Sequence, residues 1–326
     1  MKSAWLLGAL LLAPMVQQQA PTSGPLSLEH AGQMIASVER ADYSLPGQTV
    51  VDTAKLDALI AKLEQRTYEP PLNAVIGDNG KIVAGRTGYT LNREALAEQF
   101  YAYFYGNGPA RFELQRRTVY PKVDSELLAH IRQKPIGSYV TYYNSGNKSR
   151  SHNIALSAKA INNHVVFPGE TFSFNRIVGE RTAARGYKRA PIIVRGELSE
   201  GIGGGICQVS STLFNAIDRA GLRIVQRYSH SRHVPYVLPG RDATVSWGGP
   251  DFTFQNAYNQ PVLIRAFAGG GSMSIALYSS DSIEYKPREV PGITKTLPEE
   301  VPLETDADRD SRGTGAPEDI PGTSPS

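Results

Sequence analysis

The chain has 326 residues, a net charge of +3 and a single cysteine. Its 40% hydrophobic and 20% charged content fits a globular protein and excludes one that is disordered or membrane-embedded throughout. The positive excess is too small to argue for nucleic acid, and one cysteine cannot form an internal disulfide.

Met1-Lys2-Ser3 precedes an apolar run from Ala4 to Val16, interrupted by Gly8 and Pro14. That run is shorter than the roughly 20 residues a spanning helix needs. It matches the apolar region of a signal peptide, with Gln17-Gln18-Gln19-Ala20 after it. Residues 1–20 are expected to be a signal peptide or N-terminal anchor and the only membrane contact, placing the rest outside the cytoplasm. An exported lone thiol is either buried and inert or kept because it reacts.

Residues 21–50, with Pro25, Pro46 and Gly47, read as an extended lead-in. Asp52 caps an expected helix over 52–66, with Leu56, Leu59, Ile60 and Leu63 on one face. Pro70-Pro71 stops it. A short hairpin follows, Asn73–Ile76 with Lys81–Ala84, around Asp78-Asn79-Gly80. Asn92 caps a second helix over 93–104, with Leu91 placed to staple against Leu96. A strand over 111–120 and a short helix over 124–131 complete a small α+β module, residues 21–132.

From residue 133 the pattern gives a strand over 136–143 and a helix over 151–161, the latter with Ile154, Ala158 and Ile161 facing inward. Further strands are expected at 222–227, 243–247, 260–267 and 273–278. This second, mixed α+β domain spans 133–281. Residues 282–326 shift to Pro, Glu, Asp, Thr and Gly, which predicts a disordered tail.

The informative stretch is Gly203-Gly204-Gly205-Ile206-Cys207-Gln208-Val209-Ser210-Ser211-Thr212-Leu213. Apolar residues at 206, 209, 213, 217 and 220 define an amphipathic helix, with Gly221 where a left-handed cap belongs. Cys207 falls in its first turn, directly after three glycines. Unpaired N–H groups and the positive end of the helix dipole stabilise a thiolate there. Glycines at 203–205 allow close approach of a ligand and offer N–H groups to an oxyanion. An isolated cysteine is also a common small buried hydrophobe, so both readings stand.

His230 and His233, after an expected strand, are candidate bases, and Asp242 is placed to orient an imidazole. Surface loop histidines are the alternative. With no HExxH and no second cysteine, no metal or organic cofactor is expected. Arg176, Arg181, Arg185, Lys188, Arg189 and Arg195 form a basic cluster, suited to carboxylates or phosphates or simply a solvated face.

Over roughly 140–270 the chain resembles the VanW family. The resemblance rests on Phe172-Ser173-Phe174-Asn175, Gly179, Gly186-Tyr187, the block from Gly203 to Ala216, His230-Ser231 and Gly240-Arg241-Asp242-Ala243-Thr244-Val245. At position 233 the family usually has no histidine, which favours His230 as the base. Pro71, Asn73-Ala74, Gly88, Leu91 and Pro121-Lys122-Val123 resemble a peptidoglycan-binding domain that often precedes it.

The resemblance implies a cell-wall protein associated with glycopeptide resistance, and a peptidoglycan L,D-transpeptidase with Cys207 as nucleophile, His230 as base and Asp242 as orienter. Gly203, Gly204, Gly205, Gln208, Ser210, Ser211, Arg241 and His233 are the candidate substrate-binding residues, and peptidoglycan stem peptides the expected partner. Two alternatives stay open: a non-catalytic peptidoglycan-binding module, and a thiol carboxypeptidase or endopeptidase acting on stem peptides.

Overall fold

The computed structural model describes residues 24–194 and 197–292, leaving out the side chains of 192–198. The expectations for residues 1–20, for Arg195 and for the tail beyond 292 lie outside the described residues. None of the described helices is long and apolar enough to cross a membrane. The described residues divide into two compact units, one from within residues 1–77 and 81–125, the other from within residues 78–80 and 126–326. Both units mix helices with small sheets, the α+β class expected.

In the first unit, residues 26–38 form strands where a plain lead-in was expected. Strands β1 (Leu26–His30) and β2 (Gln33–Val38) pair antiparallel around Ala31 and Gly32, both with positive φ, the conformation a tight two-residue hairpin requires. Leu26 and Leu28 point inward, fully buried. Helix α1 (Thr53–Thr67) starts at Asp52, whose side chain accepts from Lys55 N, and buries Leu56, Leu59, Ile60 and Leu63. Strands β3 (Val75–Ile76) and β4 (Ile82–Val83) make the short hairpin. Strand β5 (Gly88–Leu91) leads to helix α2 (Arg93–Tyr105), capped by Asn92.

The single strand expected over 111–120 is two strands in different sheets. Strand β6 (Ala110–Glu113) runs parallel to β1, and β7 (Arg116–Val119) antiparallel to β5. The break falls at Leu114, which turns into the core, while Gln115 O takes the N–H of Asn92. Asn73 Oδ1 accepts from Val123 N, and a side chain on Gly88 would run into Glu69 O and Pro71 N, so the motif residues of this unit meet in space.

The second unit begins with helix α3 (Ser125–Ile131) and is built on an antiparallel sheet. Its strand order is β8 (Lys134–Tyr142), β16 (Ser272–Ser279), β15 (Val262–Gly269) and β9 (Val165–Val166). Helix α4 (Lys148–Ile161) starts a turn earlier than expected because Asn147 caps it. Strand β10 (Thr171–Ser173) runs into helix α5 (Phe174–Val178). The hairpin of β11 (Arg189–Val194) and β12 (Glu197–Ile202) delivers the chain to helix α6 (Ile206–Arg219). Strands β13 (Arg223–Gln226) and β14 (Thr253–Gln255) join β10 in a second sheet.

Helix α6 lies against β8 and β16 with α4 beside it. Its stripe, Ile206, Val209, Leu213, Ile217 and Ala220, is buried as expected. At its C-terminus Gly221 has φ +76 and donates to Asp218 O, while Leu222 donates to Ile217 O, the Schellman pattern. The polar side of α6 is also buried: Gln208, Ser210, Ser211, Thr212 and Asn215 are 0% exposed.

That burial explains why Ala243–Trp247 is no strand. The segment is extended, but its backbone bonds to α6 side chains: Ala243 N donates to Ser211 Oγ (2.9 Å) and Ala243 O accepts from Ser210 Oγ (2.5 Å). After β16 the packed chain continues through Ile283 and Val290, both buried, and Arg288 Nη1 meets Asp218 Oδ1 at 2.8 Å. Leu213→Ala should lower stability by about 3 kcal/mol through the cavity it leaves. Val225→Ala, at an exposed position of β13, should stay within about 0.5 kcal/mol. Urea unfolding of the two variants checks both; a Leu213 variant as stable as the parent would remove α6 from the centre of this core.

Candidate active site

Gly203, Gly204 and Gly205 are set by packing. A side chain on Gly204 would strike Ala190 O and Pro191 O of β11, and one on Gly205 would meet Ile154 and Arg150 of α4. Gly203 and Gly205 also hold φ of +89 and +102, a region that L side chains rarely adopt. The hairpin therefore passes hard against α4, and the chain turns sharply into α6. Asn153 of α4 fastens the turn, donating to Lys188 O and Gly204 O and accepting from Lys188 N. At the helix start the amides of Ile206 and Gln208 bond Gly203 O and Gly205 O. No bond is made by the Cys207 N–H among the described residues.

Cys207 is half-buried at the edge of the core. Its Sγ lies 3.5 Å from Val245 O and 3.8 Å from Thr244 Oγ1, and the His230 ring is near enough to act on the thiol's ionisation. His230 Nδ1 donates to Asp242 Oδ2 at 2.6 Å, and the His230 backbone N–H donates to the same oxygen at 2.6 Å. With Nδ1 engaged, Nε2 is the ring nitrogen left for the thiol. The structure thus brings Cys207, His230 and Asp242 into one series, with the His230 and Asp242 side chains only 7% and 9% exposed.

Charges in this series support one another. Burial alone raises the Cys207 pKa, but the His230 ring, with Val245 and Thr244, outweighs it and holds the thiol below its ordinary value. Burial alone lowers that of His230, while Cys207 and Asp242 raise it to a net increase. Asp242 is pushed up by burial and drawn down further by the His230 N–H groups, so its carboxyl titrates below the usual range. A low thiol pKa beside a raised imidazole pKa favours thiolate with imidazolium.

Other side chains hold this series without joining it. Gln208, fully buried, donates to Thr141 Oγ1 and Tyr142 O and accepts from Arg150. Ser210 and Ser211 both bond Cys207 O besides clamping Ala243. These three residues sit inside the domain, their polar atoms engaged. Arg241 is locked to Asn215 Oδ1 (2.8 Å) and Asp218 Oδ2 (2.8 Å) and lies over the Phe214 ring. His233 is exposed on its loop.

Four contributors escaped the sequence reading of the site. Thr244 and Val245 touch the thiol; Tyr236 is buried nearby, with burial and then the Cys207 charge driving its pKa far up. Arg227 steadies Asp242 through Nε to Asp242 O (2.6 Å) and Nη2 to Oδ1 (3.5 Å). Thr244 and Val245 lie inside a family motif, whereas Arg227 and Tyr236 carry no local signal. Among the described residues no cluster of three or more His, Cys, Asp or Glu side chains is placed to hold a metal.

Comparison with known proteins places this site within a family. The model described as VanW like protein matches residues 149–278, which contain the whole series. Uncharacterized protein YoaR of Bacillus subtilis (strain 168) is 61% identical over 299 residues, 91% of this chain and 97% of that protein. Vancomycin B-type resistance protein VanW of Enterococcus faecalis (strain ATCC 700802 / V583) is 36% identical over 117 residues, 33% of this chain and 42% of that protein. No solved structure gives a significant match.

Iodoacetamide labelling of Cys207 against pH should show an inflection below the ordinary thiol range. His230→Ala should move it upward, because burial is then opposed only by the smaller effects of Val245 and Thr244, and slow labelling at neutral pH at least ~10-fold. Asp242→Asn should move it the same way by less. Ser211→Ala leaves the Ala243 N–H without its acceptor and should cost about 1–3 kcal/mol in urea unfolding.

Proposed function

Because the chain belongs to the VanW-like protein family, we propose that it works on the bacterial cell wall as a cysteine-dependent L,D-transpeptidase. The observation that carries this reading is the Cys207–His230–Asp242 series at the start of α6, in a chain with no second cysteine. A thiol, an imidazole and a carboxylate in series are the parts an acyl transfer needs. We further propose export through the N-terminal segment, with the first unit holding peptidoglycan. The vancomycin-resistance name of one relative is in keeping with a cell-wall role.

In this reading the Cys207 thiolate attacks the carbonyl carbon of the third residue of a donor stem peptide, a diamino acid. The carbonyl oxygen becomes an oxyanion, for which the Cys207 N–H at the helix start is the available donor. The C–N bond to the terminal D-alanine breaks as the His230 imidazolium protonates the departing amine, leaving a thioester. An amine of a neighbouring stem then attacks the thioester, its proton passes to His230, and the thiolate is released. Asp242 holds the ring so that Nε2 faces the sulfur throughout. No step calls for a metal or an organic cofactor.

Incubating the protein and its Cys207→Ala variant with disaccharide-tetrapeptide muropeptides, read by mass spectrometry, tests the proposal. The expected result is loss of D-alanine with cross-linked dimers, abolished in the variant. Shortened stems without dimers would mean a carboxypeptidase, and cleavage of existing cross-links an endopeptidase. Untouched stems, with the protein still bound to peptidoglycan, would make it a binding module.

A further inference from the structure

One cation beside the thiol has no place in the catalytic series. Arg181 follows Gly179, which ends α5 with φ +74 and turns the chain back. Its Nη1 donates to Asn175 Oδ1 (2.8 Å) and Gly179 O (3.0 Å). The Asn175 amide donates in turn to Ser246 O (2.9 Å) and Pro250 O (3.0 Å). Ser246 directly follows Val245, whose carbonyl faces Cys207 Sγ. On the other side, the Cβ and Cγ of Arg181 lie 3.1 and 3.3 Å from where a side chain on Gly203 would project. The guanidinium is thus fixed between the two segments that flank the cysteine.

Arg181 is half-buried, yet among the described residues no carboxylate pairs with it. The carboxylate whose field reaches it, Asp251, is engaged by Ser173 Oγ (2.6 Å), Asn175 N (2.9 Å) and Phe252 N (2.8 Å). Burial weakens the cation, and the field of Cys207 is the leading influence that restores it. Nε and Nη2 make no bond among the described residues, so a planar two-donor edge, the shape that matches a carboxylate, remains. A carboxylate beside a thiolate would be repelled unless a fixed cation offset it, and this one is already held in place.

We propose that Arg181 is a specificity-determining residue that receives the terminal carboxylate of the acyl donor, the group that leaves with the departing amino acid. The substrate class is then a peptide with a free C-terminus one residue beyond the attacked carbonyl, and C-terminal amides are poor substrates. This rests on the acyl-transfer reading for its substrate, though not for the anion site itself.

Two measurements separate those claims. Labelling of Cys207 in the folded protein by iodoacetate and by iodoacetamide compares an anion with its neutral isostere. The iodoacetate-to-iodoacetamide rate ratio should fall about tenfold in Arg181→Gln and be largely retained in Arg181→Lys, with the iodoacetamide rate within about twofold throughout. An unchanged ratio in Arg181→Gln, or a thiol that neither reagent reaches, overturns the site. In turnover, stems ending in a free carboxylate should exceed C-terminal amides by about tenfold or more in kcat/KM, a preference that Arg181→Gln removes. A preference that instead follows amidation of the diamino acid's own carboxylate overturns the terminal assignment. If no stem turns over, the transpeptidase reading fails while the reagent ratio still decides the anion site. Should Arg181→Gln fail to fold, Arg181→Lys carries the test, because a point charge keeps the reagent ratio but loses much of the acid-over-amide preference. Lysine that leaves both unchanged would overturn recognition by the guanidinium's planar edge.

Discussion

A helix buried on its polar side must find a partner for each polar atom it hides, and α6 finds many of them in residues 241–245. Ser210 and Ser211 hold the backbone of Ala243 from both its N–H and its carbonyl, and Asn215 takes Arg241 O. Unmade, each such bond would leave a desolvated group costing about 1–3 kcal/mol. The segment is therefore drawn tightly along the helix. Being drawn there sets Asp242 beneath His230 and brings Thr244 and Val245 to the thiol. The same two serines cap Cys207 O, so the helix turn that carries the thiol and the segment that faces it are tied by shared atoms.

The other wall of the site comes from close backbone approach. Gly204 lets β11 pass within contact of the turn, and Gly205 lets α4 do so. Together these remove the room that a ligand would need along the glycine stretch itself. Cations flank the series on both sides, Arg227 behind Asp242 and Arg181 near Cys207. Such a field favours a negative sulfur and, at Arg181, a negative ligand.

Much of this architecture is written locally. The caps at Asp52 and Asn92, the buried stripe of α6, its glycine stop and the first-turn place of Cys207 are all local pattern. A 3.6-residue period states which side of a helix is apolar, and a capping side chain acts within its own turn. The cysteine's uniqueness and the ordered motifs around Gly203, His230 and Asp242 led to the family and to the three members of the series.

Tertiary structure alone decided the rest, for the reason that the deciding bonds join residues far apart in the chain. An amphipathic period does not say whether the polar side faces water or another segment, so Gln208, Ser210 and Ser211 read as available side chains and are in fact sealed in the domain. Residues 243–247 have the composition of a strand, but side chains of α6 take the backbone groups that a strand would give to a neighbour. The strand expected across 111–120 divides because Leu114 belongs to a core assembled from α1, α2 and β1. Arg181 was one of six basic residues by composition. Only the path from Asn175 to Ser246 singles it out, because a long-range hydrogen bond leaves no period in the sequence for a local pattern to detect.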